Sequence, residues 1–147
     1  VGPLRWSFTY ADVHCVGLDF NGWDGNAWTL GVPVSAVEWL AEDLRHLAAG
    51  TRVFLFAHHL SNSPPLDAFL AGRPVDAVFT GHGHQDLRTE VHGIPVYESG
   101  SLSQIFGKSG APIGYRVIHV ERDGFRTEYR ATGTPQAASP GVPPQEG

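Results

Sequence analysis

Methionine is absent from all 147 residues, cysteine occurs once, and Lys108 is the only lysine. A single cysteine excludes an internal disulfide. Cys15 lies inside the apolar run 13–18, so it reads as a buried structural thiol rather than a nucleophile. Lysine and arginine form no cluster and the formal charge is -5, which excludes the basic stripe of a nucleic-acid footprint. The longest apolar runs are strand-length, so no membrane span is expected. With no methionine even at position 1, and strand-like sequence beginning at once, an internal start by processing or truncation is the expectation. No signal-peptide pattern opens the chain, and its localisation stays unknown.

What is present suffices for one domain with a real core, since 41% of residues are hydrophobic. Residues 5–10 and 13–19, separated by Ala11 and Asp12, read as a β-hairpin. Residues 21–32 carry Gly22, Gly25, Gly31, Trp23 and Trp28 and read as a loop. Residues 33–49 read as a helix. Ser35 and Glu38 form a capping-box pattern, Val37, Leu40, Leu44 and Leu47 make one apolar stripe, and Gly50 is the stop. His46 lies off that stripe, as a solvated helix residue.

Residues 51–57 contain the continuous apolar run Val53-Phe54-Leu55-Phe56-Ala57, as in a strand buried on both faces, and end abruptly at His58 and His59. A turn at 61–65 and a short helix over 66–70 lead to a second buried strand, 75–80. That strand ends at Gly81-His82-Gly83-His84. Beyond it the pattern is all strand. Residues 87–91 and 94–98 flank the turn His92-Gly93, and 99–113 is a loop. Residues 115–121 and 125–131 alternate around Arg122-Asp123-Gly124. From Gly133 the Pro/Gly-rich composition predicts a disordered tail, so the domain is expected over 1–132 and the tail over 133–147.

The chemistry concentrates where the two buried strands end. Open α/β sheets place ligands in the crevice at strand C-termini. Residues i and i+2 of extended backbone share a side, so His82 and His84 can face one site. Neutral imidazole is the commonest metal ligand, and three histidines without cysteine suit zinc, manganese or iron. His58, His82 and His84 are therefore the candidate ligands. His59 is left as a substrate-facing, second-sphere or structural group. Asp86 is expected to support an imidazole; Asp19 ends its strand and could approach the site, but reads as a loop or capping residue. His14, His92 and His119 have no partner motif and read as structural.

Three stretches carry a family resemblance. They are 6–10 with 13–19; 37–44 followed by Phe54-Leu55-Phe56-Ala57-His58-His59; and Val75-Asp76-Ala77-Val78-Phe79-Thr80-Gly81-His82-Gly83-His84. Together they resemble the C-terminal half of the calcineurin-like metallophosphoesterases, over roughly residues 5 to 131. The last stretch is similar to that family's Gly-His-x-His motif in its usual strand-end context.

The resemblance implies a fold: an α/β class, half of a four-layer α-β-β-α sandwich with mixed sheets and terminal β-hairpins. It implies an activity, metal-dependent hydrolysis of phosphoric esters. It also implies a two-metal cofactor of Mn, Fe or Zn, with His58 and His82 on one ion and His84 on the other. The family often has proline two residues after its first histidine. Leu60 stands there, so His58 and His59 both stay open for that role. The family's early motifs Gly-Asp-x-x-Asp and Gly-Asn-His-Asp/Glu do not occur, and the one Asp-x-His, Asp12-Val13-His14, falls inside the first hairpin rather than ahead of it. The expected partners are thus a phosphoester substrate and a missing N-terminal half, and the chain alone is expected to be inactive or very weak. The other reading is a non-catalytic metal-binding or interaction module.

Overall fold

The computed structural model describes residues 5–19, 21–23, 28–60, 63–102 and 113–133. Strands β1 (Trp6–Tyr10) and β2 (Val13–Leu18) pair antiparallel across a tight turn in which Ala11 takes a φ of 53°. Residues 21–32, expected as a loop, contain instead two short antiparallel strands, β3 (Asn21–Trp23) and β4 (Trp28–Leu30). Trp, Thr and Leu there favour extended backbone over an open loop.

Helix α1 (Val34–Arg45) begins one residue later than the sequence suggests and ends four residues earlier. The Ser35–Glu38 capping box does not form. Pro33 is the N-cap, extended at φ -70°, and no side chain caps the helix. The Pro33 carbonyl accepts from both Ala36 N and Val37 N, so Ser35 already lies inside the first turn. The expected stripe is the buried one: Leu40 is fully enclosed, with Val37, Leu44 and Leu47 packed on the same core. Burying a leucine side chain this completely contributes about 2 kcal/mol.

Strand β5 (Arg52–Ala57), helix α2 (Pro64–Leu70) and strand β6 (Ala77–Thr80) form a parallel crossover unit, as expected from the two apolar runs. Strands β7 (Leu87–Val91) and β8 (Ile94–Glu98) make a hairpin about His92 and Gly93, at φ 51° and 81°. Two positive φ values in succession are what a two-residue hairpin turn requires. A last hairpin joins β9 (Ile113–Glu121) to β10 (Gly124–Gly133). Gly133, expected to open a disordered tail, is the end of β10; the tail from 134 onward lies outside the described residues.

The main sheet has six strands in the order β1-β2-β5-β6-β8-β7. Strands β2, β5, β6 and β8 run parallel, with antiparallel β1 and β7 at the two edges. The fold is therefore mixed α/β with few helices. Period-two alternation on β5 divides its apolar run between two faces. Val53 and Leu55 join the core containing Leu40 of α1 and Leu66 and Leu70 of α2. Phe54 faces the other way, against Phe79 and, from the β9–β10 hairpin, Phe125. At 1% exposure Phe54 is as enclosed as the helix-side core.

His14 is structural, as expected. Its Nδ1 meets Thr9 Oγ1 at 2.8 Å, and its Nε2 meets Asp43 Oδ2 at 2.8 Å. Ser7 Oγ donates to Asp43 Oδ1 at 3.0 Å. This network ties the β1–β2 hairpin to α1. No helix among the described residues is long and apolar enough to cross a membrane.

Candidate functional site

The four parallel strands all end on one edge of the sheet. Register places Leu18 beside Ala57, Phe56 beside Phe79, and Thr80 beside Glu98. The residues that follow are Asp19, His58, Gly81 and Ser99. Gly81 N donates to His58 O at 3.2 Å, which continues the β5–β6 contact one step past the strands. Gly83 N then donates back to Gly81 O at 3.0 Å, closing a tight γ-turn centred on His82 at φ 74°. His84 is also left-handed, at φ 54°. Both histidines therefore sit where an L-residue is strained.

This turn brings His82 onto His58. His58 Nε2 and His82 Nδ1 are 3.1 Å apart, one ring donating to the other, with the ring planes at 88°. His59 sits edge-on to His82 with centroids 4.5 Å apart. The pKa of His58 is lowered, first by partial burial and then by the neighbouring charges of His82, His59 and His84. A neutral ring is the form that can ligate a metal. His84 is thus near enough to be felt by His58 through its charge.

Two nitrogens 3.1 Å apart, each about 2.05 Å from one zinc ion, subtend an angle of roughly 98° at the metal, a little below tetrahedral. Among the described residues, no trio of His, Cys, Asp and Glu side chains is arranged to enclose an ion. No protein-family model matches the chain, and no curated protein matches it. The reading of the site therefore rests on its geometry and on the sequence resemblance.

A cleft of about 530 Å³ reaches His58 but not His59, His82 or His84, and its volume is within the range of small-molecule sites. Gly81, Phe56, Phe79 and, from β9, Tyr115 and Arg116 also line it.

Two residues near the motif carry no signal as ligands in the sequence. Glu98 ends β8 behind Gly83, so close that a side chain on Gly83 would stand 2.0 Å from Glu98 Oε1. That oxygen is buried and has no hydrogen-bond partner among the described residues. Arg116 is nearly buried, and it is Arg116 that pairs with Asp86; the expected support of an imidazole by Asp86 is corrected accordingly. A signal for Arg116 exists. On β9 it shares a face with Ile118, which packs on the phenylalanine core, and a charge on an apolar face needs a partner.

Proposed function

We propose that this chain is the imidazole-bearing, C-terminal part of a metal-dependent phosphoester hydrolase, half of an α-β-β-α sandwich whose other half lies on a different segment. The observation that carries the reading is the 3.1 Å approach of His58 Nε2 to His82 Nδ1 at the C-terminal ends of adjacent parallel strands. Ligands of open α/β sheets gather at that edge. The resemblance assigns His58 and His82 to one divalent ion and His84 to a second, with Mn, Fe or Zn as candidates. Helices on one face of the sheet and a hairpin on the other suit three of the four layers.

In such a centre the metal supplies Lewis acidity to the phosphoryl group and makes water a better nucleophile. The chain's own residues hold and orient. Partial burial and the neighbouring histidines lower the His58 pKa, and the γ-turn brings His82 Nδ1 to 3.1 Å from His58 Nε2. Neutral imidazoles bring no negative charge, however. Two dications held by neutral imidazoles alone would repel strongly, so holding both would require carboxylates that these histidines do not supply.

Two measurements test this. Equilibrium dialysis with zinc or manganese should show binding by the wild type and its loss in the His58→Ala/His82→Ala variant; equal metal content in both removes the ligand assignment. Hydrolysis of an aryl phosphodiester should be very slow for this chain alone, and faster by orders of magnitude once a segment carrying the Asp and Asn motifs is joined to it. Metal binding without hydrolysis in the completed protein would favour the non-catalytic module instead.

A further inference from the structure

The loop that bears both motif histidines is anchored at its far end to a different sheet. Asp86 lies two residues beyond His84, and its Oδ1 accepts from Arg116 Nη2 on β9. Arg116 is itself held from several sides. Nη2 also donates to Glu98 O at 3.1 Å, and Nη1 donates to Thr127 Oγ1 on β10 at 3.1 Å. The guanidinium lies over Tyr97 at 5.2 Å and over Tyr129 at 5.7 Å. Its side chain is only 8% exposed, so the cation sits in a place that offers little water. Burial raises the Tyr129 pKa, and the Asp86 charge adds to the rise, so the carboxylate is felt on the β10 side as well.

The loop needs such a hold. It begins at Gly81, which is bonded to His58 O, and passes through two left-handed histidines before reaching Asp86. Glycines at 81 and 83 leave the backbone many alternatives, and strained φ values persist only where surroundings over-determine them. Glu98 blocks one side by occupying the space beside Gly83. The Arg116–Asp86 pair fixes the exit. A planar guanidinium with several fixed donors suits this better than an ammonium, because it can hold Asp86, Glu98 O and Thr127 at once.

We propose that Arg116 is the positioning residue of the histidine loop, acting through Asp86 to keep His82 against His58. The inference rests on the metal-site reading for its functional meaning, but not for its geometry. The β9–β10 hairpin thereby couples to the edge of the main sheet: disturbing Arg116 loosens the approach of the two imidazoles without removing either one.

The test separates geometry from metal binding. Asp86→Asn removes the charge at the partly exposed end of the pair and leaves the buried Arg116 contacts to Glu98 O and Thr127. Arg116→Lys keeps the charge and loses the fork. Thr127→Val serves as a control that touches Arg116 away from the loop. Imidazole ¹⁵N shifts of His58 and His82 in metal-free protein report their mutual hydrogen bond, and calorimetry with zinc reports affinity. Asp86→Asn and Arg116→Lys should both move the two rings' shifts and weaken zinc binding about tenfold, at the lower end of what outer partners of ligands contribute. Thr127→Val should do neither.

Unchanged shifts in Asp86→Asn overturn the proposal, whatever the zinc affinity. Unchanged zinc affinity in a variant whose shifts have moved overturns its functional half. Shifts that move in a protein that binds no zinc leave the positioning intact and remove the metal reading instead.

Discussion

Trp6 lies flat over Gly17, its neighbour across the β1–β2 pair, so that a Cβ on Gly17 would stand 2.1 Å from Trp6 Cε2. Because Gly17 has no side chain, the indole reaches across β2 and stacks on Phe56 of β5 at 6.0 Å. Phe56 stacks on Phe79 at 5.2 Å, and Phe79 on Tyr97 at 5.5 Å. One row of rings therefore crosses five strands, with the glycine as the gap that lets it continue.

Gly17→Ala should push the indole off Phe56. The loss of one aromatic stack is worth about 1 kcal/mol, with the swing of a half-exposed ring limiting the steric cost. Urea denaturation should show the lowered midpoint, and a shift in tryptophan emission should accompany it. Unchanged emission and midpoint would mean that the ring does not depend on Gly17.

Asp43→Ala should destabilise the protein by about 1–3 kcal/mol, because it leaves the buried Nε2 of His14 and the hydroxyl of Ser7 without their shared acceptor. Asp43→Asn, which keeps one acceptor oxygen, should cost less. The check is the urea midpoint at an unchanged slope.

The His58 shift predicts a pH dependence. Its folded pKa lies below the ordinary value of 6.5, so near and below that pH the unfolded chain binds more protons than the folded one. The contribution is fully present above pH 6.5 and is lost as pH falls through the folded pKa. Urea midpoints of wild type and His58→Gln should therefore differ by a constant amount from pH 8 to 6.5, with the wild type losing stability relative to the variant as pH falls toward 5. Parallel curves would show that His58 titrates normally.

Trp6, Phe8 and Tyr10 are 42%, 54% and 80% exposed and alternate onto the face that carries Phe56. An aromatic stripe on an edge strand is an association liability. Phe8→Thr/Tyr10→Thr should reduce self-association of the isolated chain in sedimentation velocity, while zinc binding stays as in wild type. An equally monomeric wild type would show that the stripe is tolerated without cover.

Periodicity and strand-end punctuation made much of this legible. The run through Phe54 and Phe56, ending at paired histidines, indicated the buried strand and where it stops. The parallel pairing of β5 with β6 followed from the short crossover between them. The start of α1 was not legible, because Pro33 competes with Ser35 for the cap and proline's fixed φ prevails. Nor was the partner of Asp86: Arg116 is thirty residues away in sequence and approaches only when the last hairpin folds across the sheet. Local spacing carries no information about such a pairing.

The left-handed backbone at His82 and His84 sets two selections against each other. An L-residue there costs about 1–2 kcal/mol that glycine does not incur. A library randomised at positions 82 and 84 and sorted for resistance to proteolysis should enrich glycine and asparagine. The same library sorted for retention on immobilised zinc should return histidine. The two positions are thus ones where heritable stability and the ability to hold an ion diverge, and a lineage released from the second demand would drift away from imidazole first at these sites.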